Sequence, residues 1–269
     1  MRISVGDLTF DADRYGTAGN RPALLLHGFP ETSASWHDVA VRLADAGRDV
    51  VVPNQRGYSP GARPEGTESY RIDHLVDDVV GTLDSLGLDA VDLAGHDWGA
   101  IVAWYVAVRH PERVRTLTAV SVPHPAAFGW AIREDEDQKK RSAYMTLFRQ
   151  PGKAEDLLLE DGARRLIAMF SGAEDPTIVH KHLSVMGDRA TLTAALEWYR
   201  ATTRDFADLG PVTVPTTFVW GNQDTAVGRV AAELCAQHVS GTYEFVELSG
   251  SHWIPEEFPD RLADEILAR

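Results

Sequence analysis

Apolar and polar positions follow two different rhythms along this chain. The run "ALLLHGFP" (23–30) is a short apolar stretch closed by Gly and Pro, the pattern of a buried strand entering a turn. "SASWHDVAVRLADAG" follows with helical spacing and a terminal glycine. "RDVVVPNQRGYSPG" reads as another buried strand running into a polar, glycine-rich loop. "RIDHLVDDVVGTLDSLG" is an amphipathic helix with Ile72, Leu75, Val76, Val79, Leu83 and Leu86 on one stripe. "DAVDLAGHD", "WGAIVAWYVAVRHP" and "VRTLTAVSVP" continue as strand, helix and strand. This alternation predicts an α/β fold with a mostly parallel sheet covered by helices on both faces. The alternating N-terminus "MRISVGDLTFDADRYG" suits an antiparallel edge.

From about Pro123 to Leu209 the rhythm is helical only, through "REDEDQKKRSAYMTLFRQPG", "KAEDLLLEDGARRLIAMF", "PTIVHKHLSVMG" and "TLTAALEWYRATTRDF". Strand patterns return with "VPTTFVWG" (214–221) and "TYEFVEL" (242–248), before a last helix, "FPDRLADEILAR". The division expected is a core of residues 1–122 and 210–269, with a helical cap, 123–209, inserted before the last two core strands. Open α/β sheets place their sites at the carboxyl edge, where a cap excludes water. Trp130, Met145, Leu147, Phe148 and Trp198 are read mostly as cap core.

Charge and composition narrow the partners. With 269 residues and a net charge of −14, the chain is poorly matched to nucleic acid or an anionic membrane surface. No apolar run approaches the roughly 18 residues of a membrane span, and the N-terminus lacks a signal-peptide core, which points to the cytoplasm. Cys235 stands alone and is expected as a small buried residue. His180 and His182 fall on different faces of a helix, and no H-E-x-x-H, cysteine cluster or dinucleotide fingerprint occurs. Neither metal nor cofactor is expected, and homo-oligomerisation is left open.

The candidate chemistry begins at "LAGHDWGA" (93–100). Strand, G-H-D-W-G and helix make the sharp turn of a nucleophile elbow, with Asp97 at its apex. By itself this motif fits a helix-capping aspartate equally well. Asp224, in a loop after one late strand, and His252, after the last, complete the chain order of an α/β-hydrolase triad. The Phe29 amide, in "HGFP", and the Trp98 amide are candidates for an oxyanion hole. A carboxylate nucleophile suits an sp³ carbon bearing a leaving group, which here means an epoxide oxygen or a halide. A departing halide needs only N–H donors, whereas an opening epoxide needs an acid. The cap offers Tyr144 and Tyr199, either as such acids or as half-buried packing.

The motifs "HGFPETSASW", "GHDWGA", Y-x-x-x-F-x-Q-P-G at Tyr144, "WYRA" at Tyr199 and "GSHWIPEEFP" resemble, in order, those of the soluble-type epoxide hydrolases of the α/β-hydrolase fold, from about Ala23 to Pro259. The resemblance implies conversion of a small apolar epoxide and water to a vicinal diol through an ester on Asp97. In it, Asp224 and His252 activate water, and Tyr144 and Tyr199 protonate the ring oxygen. Phe29, Pro30, Trp98 and Trp253 would line the pocket, and a cis peptide would precede Pro30. Three features depart from the family pattern: Glu197 replaces a common asparagine, Asn54 a common aspartate, and "REDEDQKKR" is either a solvated face or a mobile entrance. Elbow and histidine motifs are shared with haloalkane dehalogenases, but Phe29 stands where many of those carry a halide-binding asparagine. The arginine that commonly follows the nucleophile in fluoroacetate dehalogenases is absent. A non-catalytic small-molecule binder of the same fold is the third reading.

Overall fold

A computed structural model of the chain describes residues 1–170 and 176–269. Eight strands, β1 (Arg2–Val5), β2 (Leu8–Tyr15), β3 (Arg21–Leu26), β4 (Arg48–Pro53), β5 (Val91–His96), β6 (Val114–Val120), β7 (Thr216–Gly221) and β8 (Tyr243–Leu248), form one sheet in the order β1-β2-β4-β3-β5-β6-β7-β8. From β4 to β8 every pairing is parallel, and β1 and β2 supply the antiparallel edge. The continuous apolar runs arise because both faces are covered: Leu24, Leu26 and Val51 enter one hydrophobic core, while Ala23, Leu25, Val50 and Val52 enter the other.

Helices α1 (His37–Asp45), α2 (Ile72–Leu86) and α3 (Trp98–Arg109) alternate with these strands. Between β6 and β7 lie α4 (Pro125–Glu134), α5 (Glu136–Arg141), α6 (Met145–Phe148), α7 (Lys153–Met169), α8 (Pro176–Met186) and α9 (Arg189–Arg200), a helical insertion of which α7–α9 form the cap. Helices α10 (Arg229–Leu234), α11 (Ile254–Glu257) and α12 (Pro259–Leu267) return to the core. Helix α3 is buried from Trp98 to Ala107, covered by the sheet and neighbouring helices. Cys235 is buried, as expected.

Two long helices read from the sequence are broken. The first resolves into the end of α4, α5, a 3-10 turn and α6, because Asp135 leaves the helix and caps α5 through the Gln138 N–H. The second, α7, turns at Glu160–Ala163, where Asp161, Gly162 and Ala163 take positive φ; an Asp-Gly pair tolerates that geometry. Trp130, expected in the cap core, is 44% exposed, because it lies on the outer face of α4. The charged run of α5 is a solvated face around a buried anchor: Gln138 accepts from the Gly228 N–H and donates to the Ala226 carbonyl.

Candidate active site

The elbow depends on close backbone approach. A Cβ on Gly95 would lie 2.2 Å from the Gly99 carbonyl oxygen, and one on Gly99 would lie 2.1 Å from that of Leu26. Between them Asp97 takes φ 51° and ψ −119°, a strained conformation outside the ordinary regions for a side-chain-bearing residue. Its carboxylate makes no capping bond to α3, which removes the helix-cap reading. Instead Oδ1 accepts from the Phe29 N–H at 2.7 Å. Oδ2 lies 3.5 Å from His252 Nε2. Trp98 opens α3, so its amide has no intrahelical acceptor.

Phe29 is presented by the loop after β3. A Cβ on Gly28 would fall 2.3 Å from Asp97 Cβ. The peptide before Pro30 is cis, and the turn is closed by the Glu31 N–H donating to the Gly28 carbonyl at 3.1 Å. Enclosed in that turn, Pro30 is buried and borders neither cavity beside Asp97, unlike the pocket role expected of it; Phe29, Trp98 and Trp253 each border at least one.

His252 follows β8. Its Nδ1 donates to Asp224 Oδ2 at 2.7 Å, which leaves Nε2 facing Asp97. Asp224 is aimed by the Ala226 and Val227 amides, which donate to Oδ1 at 2.7 and 3.0 Å. From α5, Arg141 donates to the Asp224 carbonyl at 2.6 Å. Burial alone would lower the proton affinity of His252, but the charge and hydrogen bond of Asp224, with Asp97 behind them, outweigh it and raise its pKa well above the ordinary value.

Tyr144 and Tyr199 meet edge to face, ring centroids 6.4 Å apart, and Tyr199 also packs on Phe29 and Trp98. Two cavities, of about 80 and 470 Å³, are both bordered by Asp97, Tyr144, Tyr199, Ala226 and His252, so they meet at this cluster. The smaller is walled by Ile101, Val122 and Phe128, and the larger by Leu147, Leu158 and Trp253. Burial raises both phenol pKa values. For Tyr144 the Asp97 charge adds to this, and for Tyr199 its neighbour Tyr144 and then Asp97 do, so both hydroxyls keep their protons. Glu197 is bound by Arg200 at 2.8 Å and by the Thr67 hydroxyl, which occupies its carboxylate away from Tyr199. Asn54 holds the Ser33 amide at 2.9 Å. No group of His, Cys, Asp or Glu among the described residues has the makings of a metal centre.

The sequence reading missed a buried network behind the triad. Glu31 Oε2 accepts from the Gly28 N–H at 2.9 Å and from His96 Nδ1 at 2.8 Å, while His96 Nε2 donates to the His252 carbonyl at 2.8 Å. Ser121 Oγ donates to that same carbonyl at 2.7 Å. The loop after β3, the end of β5 and the loop after β8 are thereby joined. Beside Glu31 lies Glu256, also buried, and His182 of α8 reaches in, 3.5 Å from Glu256, while its Nδ1 accepts from the Thr32 N–H at 3.1 Å. Burial would raise Glu31, but the charge and hydrogen bond of His96 pull it down to about 2. Burial and the Glu31 charge hold Glu256 well above the carboxylate range. Glu256 therefore carries the proton of the pair. The signal available in the sequence was position alone: Glu31 and His96 stand inside the two motifs that carry Phe29 and Asp97.

With this geometry in hand, comparison with known proteins is specific. The family model for the alpha/beta hydrolase fold matches residues 22–154. Epoxide hydrolase A of Mycobacterium tuberculosis is 30% identical over 94% of this chain and 91% of its own. The chain belongs to the epoxide hydrolases of the α/β-hydrolase fold. This epoxide hydrolase is also similar to the AB hydrolase superfamily protein YfhM of Bacillus subtilis, at 32% identity over 96% of this chain and 92% of that protein. Among solved structures, the Bacillus megaterium epoxide hydrolase in complex with an inhibitor superposes with a TM-score of 0.89 at 27% identity, covering 100% of both chains. Epoxide hydrolase A from Mycobacterium thermoresistibile superposes at 0.86 with 28% identity, covering 100% of this chain and 96% of that one.

Proposed function

We propose that Asp97 opens an epoxide by forming an alkyl ester, and that His252 and Asp224 drive its hydrolysis to a vicinal diol. The observation that carries this reading is the asymmetry of the Asp97 carboxylate: Oδ1 is held by the Phe29 amide, and Oδ2 is turned toward His252. Oδ2 attacks a ring carbon, the carbon–oxygen bond breaks, and Tyr144 or Tyr199 gives its proton to the departing oxygen. Esterification removes the Asp97 charge, so the proton affinity of His252 falls; its proton passes to the phenolate left by ring opening, and the imidazole becomes a base. It takes a proton from water, whose oxygen attacks Asp97 Cγ. The negative charge then develops on Oδ1, already held by the Phe29 amide, with the Trp98 amide at the start of α3 as the second donor. Collapse breaks the Cγ–Oδ2 bond, so Oδ2 leaves in the diol with a proton from His252. The water oxygen stays in Asp97, and its remaining proton returns to His252, which restores the resting state.

Tyr144 and Tyr199 favour the epoxide over a halide, which needs no acid on departure. The test is intact-protein mass spectrometry of His252→Gln after mixing with a small aryl epoxide, followed by peptide mapping. A whole-epoxide adduct on Asp97 is expected. An adduct from a haloalkane and none from the epoxide would move the chain to dehalogenase chemistry. Stoichiometric binding without either adduct would leave only a ligand-binding protein.

A further inference from the structure

Among the described residues, four that carry a side chain take positive φ. Asp161 and Ala163 mark the break in α7, and Asp97 is the elbow. The fourth, Ser121, follows β6 with φ 65°, is fully buried, and takes no part in the bond-making steps. The Val122 N–H donates to the Val120 carbonyl at 2.8 Å, which closes a γ-turn around it. A γ-turn with positive φ at its centre is the rare, strained form. Glycine would adopt it without strain, yet a serine stands there. Strain that persists is held by its surroundings and gathers at working sites. Here the surroundings are the triad. The Val120 carbonyl also accepts from the Asp97 N–H at 3.3 Å. The Ser121 N–H donates at 2.9 Å to the carbonyl of Val219 on β7, the strand that runs into the Asp224 loop. The Ser121 hydroxyl donates to the His252 carbonyl at 2.7 Å. Two successive residues thus reach the elements that carry all three triad members. At the His252 carbonyl Ser121 is joined by His96 Nε2 at 2.8 Å, so both lone pairs of that oxygen are occupied.

We propose that Ser121 is a positioning residue for His252, and that its hydroxyl sets the imidazole for hydrolysis of the Asp97 ester rather than for its formation. In the resting protein the ring has two side-chain partners: Asp224 at Nδ1, and the Asp97 carboxylate 3.5 Å from Nε2. Alkylation removes the Asp97 charge and with it the second attraction. The ring is then held by Asp224 and by its own backbone, whose orientation the two bonds to the carbonyl fix. A base must lie within hydrogen-bond reach of the water proton it abstracts. A loose backbone therefore slows this stage, since small misplacements of a catalytic group cost rate steeply. Ester formation draws on Asp97 and the phenols and is spared. The need for a hydroxyl at this position also accounts for a strained serine where glycine would sit at ease. The proposal rests on Asp97 as the epoxide-opening nucleophile and adds a residue that governs the second half of its cycle.

Rapid-quench mass spectrometry with a small aryl epoxide reads the two steps apart, as the rise and decay of the ester on the protein. Ser121→Ala removes the hydroxyl and keeps the strain, whereas Ser121→Gly removes both. In each, ester decay is expected to slow by about ten-fold, the scale of one hydrogen bond, while ester formation stays within about two-fold. KM should fall together with kcat, because the ester accumulates. These are single-turnover rates, so a loss of folded protein does not mimic the effect. Ser121→Gly relieves the turn and decides the matter even where Ser121→Ala does not fold. Ester decay at the wild-type rate in Ser121→Gly, or both steps slowed alike, overturns the proposal. Failure of the Asp97 reading looks different: no ester forms on the wild type or on His252→Gln. The positioning role is then read from the resting protein. There the His252 imidazole should titrate at lower pH in Ser121→Gly, because a loosened ring loses part of its bond to Asp224. An unchanged midpoint rejects the role.

Discussion

Asp97 helps set the charge of His252. Asp97 is one of the groups that raise the His252 pKa, so Asp97→Asn should make His252 titrate at lower pH than in the wild type, as read from its imidazole NMR signals. An unchanged titration would dismiss the coupling on which the proposed base step relies. The same coupling bears on stability: a histidine whose folded pKa is raised contributes stability fully below its unfolded value of about 6.5, and loses it as pH rises through the folded value. Wild type should therefore lose more stability toward alkaline pH than Asp97→Asn does. The acid role is separate. Tyr144→Phe with Tyr199→Phe should slow epoxide opening by at least about 10²-fold in single-turnover rate, and a near-normal rate would remove both phenols from the step. These residues were legible in the sequence because each sits in a short motif, Asp97 and His252 at strand ends and Tyr144 and Tyr199 within the helical insertion. Glu31, His96 and Ser121 were not, since what they do depends on contacts across separations of 65, 156 and 131 residues.

At the scale of elements, strand and helix identity was legible wherever burial imposed a period. The breaks in the inserted helices were not, because helical spacing persists on both sides of Asp135 and of Asp161–Gly162. Packing between elements gives two predictions. Gly99→Ala drives a Cβ against the Leu26 carbonyl of β3, which no side-chain rotation relieves, and should cost about 3 kcal/mol in chemical denaturation. The loop elements meet at Glu31 and Glu256, and the two acids should respond oppositely. Glu31→Gln strips His96 of its charge partner and should cost about 3–5 kcal/mol, the price of breaking a buried pair. Glu256→Gln replaces a group that is already neutral and should change stability by no more than about 1 kcal/mol near pH 4.5. A carboxyl whose folded pKa is raised loses stability as pH climbs from its unfolded value toward the folded one. Hence Glu256→Gln should gain on the wild type between those limits. Glu31, whose folded pKa lies near 2, contributes fully above its unfolded value and loses that contribution as pH falls toward 2. Denaturation midpoints measured across pH check both signs.

At the scale of the whole molecule, the sequence made the existence of a cap legible but not its hold on the core. That hold depends on contacts no local pattern announces: the Trp198 indole N–H donates to the Arg56 carbonyl at 3.0 Å, and His182 reaches Thr32 and Glu256. The cavities are likewise products of assembly, walled by side chains from α3, α4, α6 and α9 together. Asp97 joins these scales, because its positive φ is maintained by the packing of β3, β5 and α3 around it. Strain of this kind costs of order 1–3 kcal/mol, and glycine relieves it. Above the pH at which His252 loses its charge, where its coupling to Asp97 no longer contributes, Asp97→Gly should then be at least as stable as the wild type while losing all turnover. A library of this chain sorted for heat resistance alone would drift toward glycine at the elbow, and only selection on the diol product would keep the carboxylate there.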